Sequence, residues 1–231
     1  MMKMMASNPY NHGEENMTAI KIDGFTIEDV YHNMKQRNVA DSTEALAKAH
    51  VVIAGSGGLG SNIAIGLARS GVGHLTLIDF DVVDHSNLNR QQFKLSQVGV
   101  PKVLALKQNI LEFNPFIEIT TIQAKVTADN IEEFFKDADV MVEAFDVPDA
   151  KALLFEVGHN TYPEKPLVMG NGMAGVHSAN LIQVREQTHN VYIAGDYTNP
   201  GSEGLMAGRV MVAAGHQTNM ILQLLLDKVA L

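Results

Sequence analysis

The sequence predicts an α/β fold: a mostly parallel sheet with helices on both faces and late strands that read as antiparallel. Three observations carry that reading. An apolar run at Val51–Ala54 breaks into Gly55, Gly57, Gly58 and Gly60, and apolar residues then recur at helical spacing through Ile63, Ile65, Leu67 and Ala68, which is strand, glycine turn, helix. A second apolar run, Leu75–Ile78, ends in Asp79, about 20 residues past the glycines, where a mononucleotide-binding βαβ unit places a carboxylate for ribose hydroxyls. Further short apolar runs then alternate with helical patterns along the chain, the order that builds a parallel sheet.

The glycine stretch predicts phosphate binding by backbone. Glycines allow a tight turn and close approach, so the free amides at the start of a helix predicted over Ser61–Arg69 can meet an anion. The plainer reading, a turn that only packs a helix on a strand, is weakened by the downstream Asp79.

Composition bounds the function. With 231 residues and a 46% hydrophobic fraction, the chain can bury a real core as one domain with extensions. The net charge of −9 argues against a general nucleic-acid or anionic-membrane binder. There is no Cys, which removes disulfides, thiolate zinc ligands and sulfur nucleophiles. Neither a signal peptide nor a membrane span is expected, and the cytoplasm is the expected compartment.

Taken in order, residues 1–24 read as a flexible tail and 25–231 as one domain with an N-terminal helical extension. One or two helices are predicted between Thr26 and Lys48, beginning at a Thr26 cap with Asp29 three residues on. Lys35 and Arg37 read there as a solvated helix face. After Asp79 comes FDVVDHSNLNRQQ, Phe80–Gln92, at a strand's carboxyl end where open α/β sheets bind ligands. It reads either as a connection or as a nucleotide loop in which Arg90 holds a phosphate while Asn87 and Gln91 supply uncharged donors. A helix is predicted within Val98–Phe113, starting near Pro101. Lys102 in its first turn opposes the helix dipole and asks for an anion nearby.

Strands are predicted at Ile117–Ile122, Val140–Val142, Leu167–Met169, Ala179–Val184 and Val191–Ala194, with helices at Asp129–Lys136, Asp149–Val157 and Arg209–Val229. Asp146 falls just past a strand's carboxyl end, placed either to hold Mg²⁺ with phosphate oxygens or to cap the next helix. A second glycine turn, Gly170, Gly172 and Gly175, and a polar loop over Gly195–Gly208 follow. The nine His and twelve Met show no spacing that suggests a site.

In sequence order, GSGGLG, DFDVVDHSNLNRQQ, GVPK and an apolar strand into FD resemble the ubiquitin-activating-like adenylyltransferase superfamily, and within it the thiamine-type bacterial enzymes that adenylate small sulfur-carrier proteins. The resemblance covers roughly Ala49–Gly175. It implies a Rossmann-like fold and an ATP- and Mg²⁺-dependent adenylation of the C-terminal glycine carboxylate of a ubiquitin-like carrier ending in Gly-Gly. It further implies that Gly55, Gly57, Gly58 and Gly60 form the nucleotide loop and that Asp79 takes the ribose. Asp81, Asn87, Arg90, Gln91 and Lys102 would surround the phosphates, and Asp146 would hold Mg²⁺. Arg90, Lys102 and Asp146 would carry the catalysis: a carboxylate needs no base, only positioning and positive charge at phosphorus.

Relatives also carry a CxxC zinc site and a downstream cysteine. This chain has neither, so no zinc and no covalent second step are expected. Relatives donate an N-terminal arginine across a homodimer, for which Arg37, the only arginine ahead of the glycine loop, is the candidate. The turn at Gly170–Gly175 and the Gly195–Gly208 loop are expected to admit the carrier tail. Three competing readings remain: a nucleotide-dependent oxidoreductase, a relative that activates a different carboxylate, and a silent scaffold homologue.

Overall fold

The computed structural model describes Gly24, residues 26–198 and residues 201–231. The expected tail, apart from Gly24, lies outside the described residues, as do Asn199 and Pro200 within the late loop.

A seven-stranded sheet runs β3-β2-β1-β4-β5-β7-β6. Its strands are β1 (His50–Ala54), β2 (His74–Ile78), β3 (Glu118–Ile122), β4 (Val140–Glu143), β5 (Leu167–Gly170), β6 (Gln183–Thr188) and β7 (Val191–Gly195). All neighbours pair in parallel except β6 with β7. From β1 the chain moves outward through β2 and β3, then returns to place β4 and β5 on the other side. That reversal, between β1 and β4, opens a crevice at their carboxyl ends, the usual ligand position in such sheets.

Parallel strands must be covered on both faces, and period-two alternation divides the side chains accordingly. Val51 and Ile53 of β1 join one core with Ile63 and Leu67 of α3 (Gly58–Ser70), Leu106 and Ile110 of α4 (Lys102–Leu111), and Ala213 and Ile221 of α8 (Ala207–Leu225). Val52 and Ala54 face the opposite way. They join Ile131 and Phe135 of α5 (Ile131–Phe135) and Leu154, in a π turn between α6 (Pro148–Leu153) and α7 (His159–Thr161).

Ahead of β1 stand α1 (Ile27–Arg37) and α2 (Ser42–Leu46). Thr26 closes α1 with a reciprocal cap: its hydroxyl accepts from Asp29 N at 3.2 Å, and the Asp29 carboxylate accepts from Thr26 N at 2.8 Å.

Several expected boundaries move. α3 begins at Gly58, not Ser61, because Gly57 already serves as its N-cap. α4 begins at Lys102 with Pro101 as its N-cap, as expected, and a separate 3₁₀ turn over Leu95–Gln97 precedes it. Residues 179–181 form a 3₁₀ turn, so β6 starts only at Gln183.

Candidate functional site

The glycine turn is dictated by contact. A Cβ on Gly55, whose φ is +100°, would lie 2.5 Å from the Ala144 carbonyl oxygen, and one on Gly60 would lie 1.8 Å from the Gly55 carbonyl oxygen. No larger residue fits either position, because each contact is with backbone that cannot step aside. β1, the first turn of α3 and the end of β4 therefore meet at van der Waals distance. The resulting α3 N-terminus carries no side-chain cap, so its amides face the crevice.

Asp79, directly after β2, is half-buried and ties the turn to the next loop. Its carboxylate accepts from Ser56 N at 2.7 Å and from Asp81 N at 2.8 Å. Burial raises its pKa, and the two N–H donors pull it partway back. A carboxylate has acceptor capacity beyond two such bonds, so its edge can still receive hydroxyls.

The loop after Asp79 docks on the first turn of α3. Asn62 donates to the Gly58 carbonyl at 2.7 Å and to the Arg90 carbonyl at 3.1 Å, while Gln92 Nε2 donates to Asn62 Oδ1 at 2.6 Å. Asn109 of α4 braces it from behind, donating to the Gln92 carbonyl at 2.7 Å. The Arg90 and Gln91 side chains thus lie over the glycines. A Cβ on Gly58 would meet Arg90 Nε at 3.6 Å, and one on Gly57 would meet Gln91 Nε2 at 3.8 Å.

Arg90 Nη1 donates to the Ser86 carbonyl at 3.0 Å and to Asn89 Oδ1 at 2.8 Å. Its Nε, Gln91 Oε1 and Ser56 Oγ are buried without a protein partner. Buried polar atoms are nearly always paired, so three orphans around one uncapped helix N-terminus mark a place for a polar ligand.

Asn87, expected to lie against phosphate as a donor, uses its amide oxygen to shape the loop. Its Oδ1 accepts from Asp84 N at 2.9 Å in a cap that shapes the loop, and the residue is buried. Lys102 has the anion its position called for: its Nζ lies 2.7 Å from Asp81 Oδ2, with Lys102 buried and Asp81 half-exposed. Strand-like pairing of Val82 with Pro101 holds the two together.

Asp146 is exposed, beyond β4 at the crevice. It does not cap the following helix, because the N-cap is Val147 and no side chain bonds there. Among the described residues no cluster of three or more His, Asp or Glu could hold a metal. A magnesium ion at Asp146 would therefore take most of its oxygen ligands from phosphate and water, a normal arrangement for that ion.

Arg37 is exposed at the end of α1. α1 packs on the far end of α3, where Asn38 donates to the Ser70 carbonyl at 3.0 Å. The 13 residues of α3, roughly 20 Å of helix, separate it from the glycine turn of its own chain.

The second glycine turn is shaped by internal contacts. Gly172 and Gly175 have φ of +74° and +72°, and a Cβ on Gly172 would lie 2.5 Å from Asp196 Oδ1. Buried Asp196 pairs with buried Arg209, whose Nη1 also donates to the His177 and Ser178 carbonyls at 2.8 Å.

Sequence reasoning missed the brace formed by Asn62, Gln92 and Asn109, and it missed Glu143 with Lys151. Glu143 is wholly buried on β4, with Lys151 Nζ at 2.8 Å. Burial pushes its pKa up, against the pull of Lys151 and two backbone donors. The available signal was a lone acid ending the otherwise apolar strand VMVE.

Comparison with known proteins agrees with this architecture. The ThiF family model matches residues 32–228. A Dictyostelium discoideum adenylyltransferase and sulfurtransferase, MOCS3, is 35% identical over 130 residues, which are 56% of this chain and 30% of the relative. The tRNA threonylcarbamoyladenosine dehydratase of Bacillus subtilis is 35% identical over 158 residues, 67% of this chain and 61% of the relative. The chain thus spans under a third of the first of these relatives and about three-fifths of the second. The Escherichia coli tRNA threonylcarbamoyladenosine dehydratase, crystallised with AMP, superposes with a TM-score of 0.77 over 85% of this chain and 94% of its own, at 24% identity. The chain belongs to the ThiF family. No helix among the described residues is long and apolar enough to cross a membrane.

Proposed function

We propose that this member of the ThiF family is an adenylyltransferase that binds ATP with Mg²⁺ in the crevice between β1 and β4 and joins AMP to a carboxylate. The observation that carries the reading is the set of unpartnered atoms, Ser56 Oγ, Arg90 Nε and Gln91 Oε1, around an uncapped helix N-terminus at the sheet's reversal point. A dinucleotide would also use the glycine turn and Asp79. It gives no reason for Arg90 over Gly58 or for a buried Lys102 beside Asp81.

In this reading the α3 amides and Arg90 hold the phosphates and Asp79 receives the ribose hydroxyls. Lys102 leaves Asp81 to meet negative charge, and Asp81 and Asn87 keep the loop in shape. Asp146 would hold Mg²⁺, which would supply positive charge to the phosphate oxygens. The acceptor carboxylate attacks the α-phosphorus; a C–O–P bond forms, the Pα–O–Pβ bond breaks, and pyrophosphate leaves. The site's contribution is to bring two anions together and to place fixed donors where charge grows.

The acceptor we propose is the C-terminal glycine of a ubiquitin-like sulfur carrier of the thiamine type. The family's motifs and the kinship with an adenylyltransferase and sulfurtransferase support it. The chain works as a homodimer in the cytoplasm, with Arg37 donated to the neighbouring copy's site. That arrangement accounts for an arginine so far from its own glycine turn.

The likeness to the tRNA dehydratases, which extends over 94% of one of them, favours a second reading in which the substrate is threonylcarbamoyladenosine in tRNA. The net charge of −9 opposes it. Exchange of labelled pyrophosphate into ATP, stimulated by a Gly-Gly-ended carrier, with a mass gain of one AMP on the carrier, is the expected result. Stimulation by modified tRNA and not by the carrier selects the second reading, and NAD binding without exchange refutes both.

A further inference from the structure

We infer that the Glu143–Lys151 ion pair is a positioning device that sets the aim of Asp146, and with it the site's response to Mg²⁺. The inference rests on the metal role proposed for Asp146.

Glu143 and Lys151 stand at the two ends of the short segment that carries Asp146. One is the last residue of β4 and the other lies in α6, and Lys151 Nζ reaches both carboxylate oxygens, at 2.8 and 3.0 Å. The same carboxylate accepts from Phe145 N at 2.6 Å, the residue next to Asp146. Gly170 N, at the end of β5, approaches its other oxygen at 3.4 Å, and Lys151 donates to the Gly170 carbonyl at 2.9 Å. From α8, Gln217 donates to the Glu143 carbonyl at 3.3 Å. The turn bearing Asp146 is thereby fastened to two strands and two helices.

Fold stability does not explain this choice. β4 is otherwise Val-Met-Val, buried on both faces, and replacing a buried ion pair by apolar residues is often neutral or stabilising. An apolar residue at 143 would complete the strand but could not bond Phe145 N or reach Lys151. Every partner of the Glu143 carboxylate is a donor, so together they hold it in one orientation. The segment also touches the glycine turn, since the Ala144 carbonyl fills the space a Cβ on Gly55 would need. A loosened turn would misplace Asp146 first.

Calorimetric titration with ATP, with and without Mg²⁺, tests this on folded Glu143→Gln, Lys151→Met, Lys151→Arg and Asp146→Asn proteins. We expect Glu143→Gln and Lys151→Met each to lose about tenfold in affinity for MgATP, comparable to a lost orienting partner of a metal ligand, while Mg²⁺-free ATP binds within about twofold of the parent, as for independent contacts. Lys151→Arg should recover most of the loss. Asp146→Asn should show the same Mg²⁺-specific loss, and Glu143→Gln added to it should cost nothing more. Equal losses with and without Mg²⁺, or additive losses in the double variant, overturn the positioning role. If Glu143→Gln fails to fold, Lys151→Met alone decides. If Asp146→Asn binds MgATP like the parent, the metal assignment itself has failed, and the positioning role falls with it.

Discussion

His50 begins β1 and Gly55 follows its last residue, so the two mark opposite edges of one sheet, and the chain treats those edges in contrary ways. At the amino edge the polar groups answer one another. His50 Nδ1 donates to the Asp137 carbonyl at 3.0 Å and its Nε2 accepts from Thr76 Oγ1 at 2.8 Å, while Asp139 accepts from His50 N at 2.8 Å. The ring stacks on that of His74, its register partner on β2, with centroids 3.7 Å apart. At the carboxyl edge the same two strands run into a helix start without a side-chain cap and three buried atoms without partners. A fold can satisfy either edge. Leaving one unsatisfied costs about 1–3 kcal/mol per buried group, and the difference is the one on which the proposed nucleotide site rests, since a bound phosphate supplies partners that the chain does not.

The comparison can be broken most severely at the cations. Arg90→Ala and Lys102→Ala are expected to slow pyrophosphate exchange by about 100- to 1,000-fold, the cost of removing a preorganised donor, with urea midpoints that show a folded protein. Exchange at the parent rate in both would strip the carboxyl edge of its assigned chemistry. Gly60→Ala attacks the backbone instead. With 1.8 Å between the new Cβ and the Gly55 carbonyl oxygen, a loss of about 3 kcal/mol in urea unfolding is expected, along with loss of nucleotide binding.

Asp79→Ala is a finer cut. It frees Ser56 N and Asp81 N, should cost about 1–2 kcal/mol of stability, and should weaken ATP binding in calorimetry by about tenfold, the loss of one or two hydrogen bonds. Unchanged affinity would remove the ribose role.

The smallest effect belongs to the amino edge. Burial, and after it the neighbouring His74, lowers the pKa of His50 below the usual 6.5. The unfolded chain therefore takes up a proton that the folded protein resists, so this contribution is full above pH 6.5 and lost as pH falls below it. His50→Gln should flatten the fall in Tm below that pH by about 1–2 °C, a small shift because the ring is only half-buried. Asp137 and Asp139 raise the His50 pKa in part and damp the effect further. Identical acid slopes in parent and variant would show that the stacked pair carries no charge penalty.

Much of the site was legible because backbone dictates it. Glycines at 55 and 60, an apolar strand on each side and Asp79 at the second strand's end define a βαβ unit by local rules alone. The dipole argument at Lys102 led to a real partner, Asp81, found 21 residues upstream. Asn87 was legible only as a polar residue. Whether its amide meets a ligand or caps the loop depends on where Asp84 lies, which no spacing rule gives. Gly172 and Gly175 read as room for a tail; their positive φ and the Asp196 carboxylate pressed against Gly172 show why glycine is needed there. The expected helix start at Ser61 came too late because a glycine is a poor helix former in isolation, whereas here Gly58 and Gly60 are held in α3 by their neighbours.

The sequence by itself determined β1 to β5 and β7, the glycine turn and the family, because each rests on residues close together in the chain, where periodicity and φ/ψ preference act. The tertiary structure alone decided which polar groups would be left without partners, and that Glu143 and Lys151 would fasten the turn between them to β5 and α8. Those outcomes depend on which distant segments pack together, and burial converts a polar residue into a satisfied or an orphaned one only after that packing is complete.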